Sequence, residues 1–389
     1  MTAPARVLYV TAAGERGGAE AMLTLVLRHL DRRRFEPAVL CLAEGVLTEE
    51  LGRAGDCRVD VIPAGRFRDL RRGWGVVRRL WNLIRERDIA LVHANGTRAH
   101  VYAGPAAWLA GVPSIYHVHD VIDRPWSRQG LVYLAAALTP AAATIAPSRY
   151  VGERLRNGGW RRTVEIVPNA VETPGPGAGE AAGRIRAESG WNPDCPLVVW
   201  CGRLQRWKGP HVFVEAAARI GAAAPAVRFL VIGGSPMGLD RGYEQQLHGL
   251  AGSKGLEGRL RFTGHQPDPG RFIEAADVLV HSSLRPEPFG LVILEAMIRD
   301  TAVIASNEGG PAEVVEDGVT GLLTPPGDPS ALAEALGRLL RDAALRGRMA
   351  EAGRARAVRE FNVSRTLGAL EPIYDRLIGP GPSAVARPA

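Results

Sequence analysis

Between Arg285 and Glu308 the chain reads RPEPFGLVILEAMIRDTAVIASNE, which sets two carboxylates, Glu287 and Glu295, eight residues apart around a Pro-Phe-Gly turn. The β-branched run DVLVHSS (277–283) precedes this stretch, and the apolar periodicity that follows predicts a helix starting near Gly290. Glu287 then falls on the loop and Glu295 about one turn inside the helix. The N–H groups of Phe289, Gly290 and Leu291 have no intrahelical acceptor and lie at the positive end of the helix dipole, an arrangement that binds anions. A phosphate held there would have a carboxylate on either side, one accepting from sugar hydroxyls and the other from ribose hydroxyls. A sugar nucleotide fits that description. A solvated loop with two ordinary glutamates gives the same spacing, so the pair alone does not decide.

The segment CGRLQRWKGP (201–210) follows the apolar run LVVWCGR and carries Arg203 and Lys208. Both can reach a crevice at the carboxyl end of that strand. Expulsion of a nucleoside diphosphate builds negative charge that fixed cations stabilise. No D-x-D pair stands anywhere in the chain to hold a divalent metal at that diphosphate, so no metal and no resident cofactor is expected. Either cation alone could equally be a solvated surface charge.

In the first half, RVLYVTA leads into AAGERGGAEAMLTLVLRHL, where Gly14, Gly17 and Gly18 let the backbone turn tightly and approach a ligand before a helix from about Ala19. The pattern is not G-x-G-x-x-G, and a nicotinamide cofactor is weakly supported. A plain strand–helix turn explains the glycines equally well. The run ALVHAN closes on Asn95, with Gly96 directly after it, and SIYHVHD closes on His117, His119 and Asp120. Period two puts both histidines on one face. His117 is read as packing and His119 as the active-site candidate; a zinc site would need further ligands that the sequence does not supply. Asn95, Gly96, His119 and Asp120 form the acceptor-side candidates.

These residues need elements to hold them. Thirteen short apolar runs alternate with helical segments. Seven lie in the first half (6–12, 38–43, 58–63, 90–95, 114–120, 143–148, 163–169), and six in the second (197–203, 228–234, 259–264, 277–283, 301–306, 320–326). Continuous runs of this kind suit parallel sheets covered on both faces. The expected fold class is α/β, with two Rossmann-like doubly wound domains facing a central cleft. The expected bounds are an N-terminal acceptor-side domain over 1–171 and a Pro/Gly-rich linker over 172–183. A donor domain over 184–361 and a disordered tail over 379–389 follow. The architecture repeats between the halves; no sequence repeat is seen.

At 389 residues the chain suits two domains. Its start lacks a secretory h-region, and its longest apolar stretch, Leu131–Pro147, is broken at Pro140 and reads as a buried helix running into a buried strand. Cys41, Cys57, Cys195 and Cys201 include no C-x-x-C pair and read as small buried apolar residues of a reducing compartment. Charge is uneven. Residues 1–175 hold 24 Arg against 17 Asp and Glu, while residues 176–389 hold 22 Arg and 2 Lys against 24 Asp and Glu, so the whole +7 excess lies in the first half. Within it, RFRDLRRGWGVVRRLWNLIRERD (66–88) sets arginines against Trp74, Val77, Leu80, Trp81 and Ile84. Such a helix can lie on an anionic membrane surface, or cover its own sheet with a solvated arginine face. The second use is favoured, because the sheet needs the apolar face.

Taken in order, GERGGAE, HVHD, APSRYVGERL, VPNAVE, GRLQRWKG, FTGHQPD, EPFGLVILEAM and NEGGPAEVVEDGVTGLL resemble the retaining family 4 glycosyltransferases of the GT-B fold, over nearly the whole chain. The resemblance implies a Glu-x7-Glu pair in which Glu287 faces the donor sugar and Glu295 the ribose. It implies that Arg203 and Lys208 bind the diphosphate, that Gly17 and Gly18 approach donor phosphates or acceptor, and that His119 sits beside the donor sugar. It also implies a helix over about 362–378 that crosses back to the N-terminal domain. Ala170, Asp300 and Ala302 depart from the family pattern at turn or strand-entry positions, which bears on backbone shape more than on chemistry.

The expected activity is metal-independent transfer of a hexosyl-type group, with retention, from a UDP- or GDP-sugar to a hydroxyl. The leading acceptor is a saccharide, lipid-linked, in cell-surface polysaccharide synthesis; a soluble small molecule of secondary metabolism is the alternative. The rivals are an inverting transferase with His119 as base supported by Asp120, a nucleotide-sugar epimerase, and a catalytically silent nucleotide-sugar binder. Nucleic acid is not expected as a partner. The expected location is cytoplasmic, with a peripheral position on the inner face of the plasma membrane as the alternative that would follow if 66–88 lay on that surface.

Overall fold

The computed structural model describes residues 3–12, 17–55, 57–65, 70–121, 128–175, 180–192, 194–235 and 241–379. Two compact units emerge, one comprising Met1–Ala170 with Val363–Ala389 and the other Val171–Asn362. The first contains β1 (Ala5–Thr11), β2 (Phe35–Cys41), β3 (Arg58–Val61), β4 (Leu91–Asn95), β5 (Ser114–His117), β6 (Ala143–Ala146) and β7 (Val164–Ile166). They form one parallel sheet in the order β3-β2-β1-β4-β5-β6-β7. The second contains β8 (Leu197–Cys201), β9 (Arg228–Ile232), β10 (Leu260–Phe262), β11 (Val278–His281), β12 (Ala302–Ser306) and β13 (Leu322–Thr324). Their order is β10-β9-β8-β11-β12-β13, again all parallel. Each expected run supplies one strand.

Period two distributes each run over both sheet faces. On one face of the first unit, Val7 and Tyr9 pack with Leu23 and Val26 of the helix Gly18–His29 and with Leu370 and Tyr374 of the helix Val363–Ile378. On the other, Leu8 and Val10 meet Leu80 and Ile84 of the helix Leu70–Glu86 and Ala103 of the helix Thr97–Ala110. The second unit repeats the scheme: Val198 and Trp200 face Phe213 on one side, while Leu197 and Val199 face Ile293 and Leu294 on the other. Removing a side chain of this size from water contributes roughly 1.5–3 kcal/mol. Burial on both faces is therefore what selects strand over helix for these short runs. In both sheets the strand order reverses, between β1 and β4 and between β8 and β11. Ligands of doubly wound sheets bind outside the carboxyl ends at such points.

Several local expectations need correction. Val77, Leu80 and Ile84 are buried as expected, with Val76 and Leu83, but Trp74 is 63% exposed, since it lies off the stripe that meets the sheet. The second expected buried stretch is covered in its strand and not throughout its helix. β6 is covered throughout, whereas the helix Arg128–Leu138 leaves Leu134 and Leu138 at 57% and 77% exposure. A helix, Glu180–Glu188, begins inside the stretch read as linker. Asp300 takes the glycine-like left-handed backbone, φ 57°, which aspartate tolerates, and its carboxylate pairs with Arg354 at 2.7 Å. All four cysteines are free; Cys41 and Cys195 are buried, while Cys57 and Cys201 are half-buried. Gly14, positions 66–69, positions 176–179 of the Pro/Gly-rich linker and the tail from 380 lie outside the described residues. Among the described residues no helix is long and apolar enough to cross a membrane.

Candidate active site

The second unit gathers its polar residues where β8 and β11 diverge. Beyond β8, Arg206–Lys208 form a single 3-10 turn that ends on Gly209 in the left-handed region, φ 69°. A Cβ at Gly209 would sit 1.9 Å from the Ser282 carbonyl oxygen, so only glycine lets the turn lie against the end of β11. Three hydrogen bonds fasten it there. Trp200 Nε1 donates to Ser282 Oγ at 3.1 Å, Ser282 Oγ donates to the Gly209 carbonyl at 2.8 Å, and Leu284 N donates to the Trp207 carbonyl at 2.7 Å. Lys208 is thereby aimed across the strand ends, with Nζ 4.5 Å from the Trp207 ring centroid.

Glu287 receives it. The Lys208 ammonium lies 2.6 Å from Glu287 Oε1, His281 Nε2 lies 2.8 Å from the same oxygen, and Ser283 Oγ donates to it as well. Glu287 is 6% exposed, which alone would raise its pKa, yet Lys208 and His281 outweigh burial and hold the carboxyl well below the usual range. All three donors converge on Oε1. Among the described residues Oε2 has no partner, which leaves an ionised oxygen to accept from a ligand hydroxyl. The loop beneath is fixed from the other side: Gly310 N donates to the Glu287 carbonyl at 2.8 Å. Cβ atoms at Gly309 and Gly310 would lie 2.6 Å from the Glu287 carbonyl oxygen and 2.4 Å from Phe289 Cα.

The remaining donor-side residues fall around this pair. Gly290, φ 89°, precedes the helix Leu291–Met297, whose start has no side-chain cap. Phe289 is buried against Phe361, and Leu291 is half-buried. Glu295 is half-buried one turn into the helix and near enough to Cys201, as is Lys208, to act on that thiol, which burial first and Glu295 second push upward. Arg203 is exposed just past β8 and forms no ion pair among the described residues. The geometry therefore joins Lys208 to Glu287 and leaves Arg203 as a cation without a fixed partner. His281 and Ser283 were not singled out by sequence. Their position at the end of β11, six and four residues before Glu287, is the signal that could have found them.

In the first unit the candidates also collect at the strand reversal. Gly17 is the extended residue before the helix that Gly18 opens. A Cβ on Gly17 would come 2.8 Å from Glu20 Oε2. β4 ends at Asn95, and Gly96, φ 98°, starts the helix Thr97–Ala110. β5 ends at His117, and the His117 and His119 rings lie on the same side with centroids 3.9 Å apart. His117 is buried and packs; His119 is half-buried, and burial draws its pKa down to about 4. The support of His119 by Asp120 is replaced. His119 Nε2 pairs with Asn95 Oδ1 at 2.7 Å, whereas the exposed Asp120 carboxylate accepts from Thr97 Oγ1 at 3.2 Å and from Tyr133. No group of three or more potential metal ligands occurs among the described residues.

Comparison with known proteins gives these sites a setting. Residues 16–174 match the model for Glycosyltransferase Family 4, and residues 182–356 match that for Glycosyl transferases group 1. The lipopolysaccharide core biosynthesis glycosyltransferase LpsE of Rhizobium meliloti is 34% identical over 54% of this chain, and the matched region spans 58% of that relative's length. The D-inositol 3-phosphate glycosyltransferase of Salinispora arenicola is 30% identical over 77% of this chain and 73% of its own. The structure of Anabaena HepE in complex with UDP and glucose superposes with a TM-score of 0.84 at 27% identity, covering 96% of this chain and 100% of that one. With two Rossmann-like α/β domains, one matching each model, the chain belongs to the family 4 glycosyltransferases of the GT-B fold.

Proposed function

We propose that the protein is a retaining, metal-independent glycosyltransferase that moves a hexosyl group from a nucleoside diphosphate sugar to a hydroxyl acceptor. The observation that carries this reading is the buried, ionised Glu287, clamped through Oε1 by Lys208, His281 and Ser283, with Oε2 unpartnered among the described residues. A carboxylate kept charged in a crevice by a lysine and a histidine, with one oxygen open, is suited to orient a hydroxyl-bearing ligand. Oε2 takes sugar hydroxyls, and Glu295 takes those of the ribose. Lys208 has three donors and can keep Glu287 while also contacting a diphosphate. Arg203, Lys208 and the N–H groups of Phe289, Gly290 and Leu291 stabilise the charge that develops as the bond from the anomeric carbon to the diphosphate oxygen breaks. The incoming hydroxyl bonds to that carbon on the face the diphosphate leaves, and its proton passes to the departing phosphate.

Retention is favoured over inversion because an imidazole drawn down to about 4 and bonded to an amide is a poor base at neutral pH. Gly17 and Gly18 are assigned to donor phosphates or acceptor, and His119 to substrate hydroxyls. A UDP-sugar donor is supported by the UDP and glucose in HepE. The acceptor reading is a saccharide, lipid-linked, in cell-surface polysaccharide synthesis at the cytoplasmic face of the membrane, in keeping with LpsE. The D-inositol 3-phosphate relative favours a second reading, a small soluble phosphorylated acceptor. Both suit a first half that carries the whole positive excess.

The test is turnover of the donor by Glu287→Gln and Lys208→Ala. Removal of an electrostatic contact of this kind costs on the order of 10²–10³ in kcat. Near-wild-type turnover in both variants would defeat the assignment.

A further inference from the structure

His119 is tied into the fold by groups whose donor and acceptor roles can be worked out one by one. Asn95 is 5% exposed, and its Nδ2 donates to the Ala19 carbonyl at 3.2 Å. That bond fixes which way the amide faces, so the atom 2.7 Å from His119 Nε2 is the carbonyl oxygen Oδ1. A carbonyl oxygen only accepts, and Nε2 must therefore carry the proton.

The ring beneath is fixed independently. Tyr374 donates its hydroxyl to Tyr9 at 3.0 Å, so its oxygen accepts from His93 Nδ1 at 2.6 Å. His93 Nε2 then accepts from His117 Nδ1 at 3.1 Å. His117 is left with a bare, buried Nε2 that has no partner. The two imidazoles, with centroids 3.9 Å apart and planes tilted by 36°, are both neutral, and a second proton on either would put a cation against its neighbour's ring.

We propose that Asn95 is a positioning residue for His119, holding it as the Nε2–H tautomer so that the bare Nδ1 is the hydrogen-bond acceptor offered to a substrate hydroxyl. The assignment of a hydroxyl to Nδ1 rests on the glycosyltransferase reading; the tautomer does not. Asn95 is thereby moved from acceptor contact to support of the histidine. The helix Val363–Ile378 also enters the site, through Tyr374, 281 residues beyond His93.

The experiment is long-range ¹H–¹⁵N NMR on the full chain labelled at histidine, with His119→Gln to assign the signal. The expected spectrum shows His119 protonated at Nε2 and bare at Nδ1 at neutral pH. Asn95→Ala should give averaged tautomers, and Asn95→Asp, which still presents an acceptor, should retain the Nε2–H form. Donor hydrolysis by Asn95→Ala should fall about tenfold in kcat with KM unchanged, the mark of an interaction made in the transition state. A wild-type Nδ1–H tautomer overturns the proposal. So does an Asn95→Ala variant with unchanged tautomer and unchanged kcat. If the tautomer behaves as expected but the wild type binds and turns over no sugar nucleotide, the functional reading fails and the support of His119 by Asn95 stands.

Discussion

Glu287 shows what a residue's type and spacing convey and what they do not. The Glu-x7-Glu spacing and the loop position could be read directly from the sequence, because a strand run, a Pro-Phe-Gly turn and an apolar helix surround it. Its burial and its three donors could not, since Lys208 and His281 come from other elements and meet it only in the folded sheet. The histidines make the sharpest residue-scale prediction. Burial lowers His93 to about 3 and His119 to about 4, and it takes His117 well below its ordinary value. Above pH 6.5 these rings are neutral whether folded or unfolded, and stability does not change on their account. As the pH falls below 6.5 the unfolded chain binds protons that the folded chain refuses. Stability is then lost progressively toward the folded values, by at most about 1.4 kcal/mol per group per pH unit. Thermal unfolding from pH 7 to pH 5 should show a falling Tm, with a shallower fall in His93→Gln. A flat profile would mean that the rings are not held neutral.

Whole elements were more legible than the turns that join them. Each apolar run became a strand because the parallel sheets are covered on both faces, which continuous Val, Leu and Ile satisfy and mixed patterns do not. Trp74 and the exposed Leu134 and Leu138 escaped, since hydropathy reports an apolar side chain and not whether a neighbour arrives to cover it. Turn geometry was legible only where glycine marks it. Gly209 is the decisive case, because its left-handed backbone and its contact with the Ser282 carbonyl together aim Lys208. Gly209→Ala should therefore destabilise the second unit by roughly 1–3 kcal/mol through backbone strain and overpacking. It should also weaken nucleotide binding far more than an alanine at Gly249, where an added Cβ meets nothing. Chemical denaturation and nucleotide titration of both variants check this, and equal behaviour would remove Gly209 from the site's support.

At the scale of the molecule, charge is divided unequally along the chain, and residues 1–175 carry all of the +7. The helix Leu70–Glu86 buries its aliphatic stripe in the first unit, while Arg71, Arg72, Arg78, Arg79 and Arg85 stay exposed, as does Trp74. If the acceptor is held at an anionic membrane, the protein should float with liposomes containing anionic lipid at low salt and be released as salt screens the arginines. Flotation absent at low salt would turn the acceptor reading toward a soluble molecule. The central claim concerns the second unit, and the most direct measurement is calorimetric titration of UDP-, GDP-, ADP- and dTDP-sugars, in EDTA, into the wild type and Lys208→Ala. One nucleotide family should bind the wild type despite the chelator, and its affinity should drop at least about tenfold in the variant, the loss of one charge-assisted contact. Equal affinity in the two proteins, or no binding by the wild type to any of the four, would contradict a donor site built on Lys208 and Glu287.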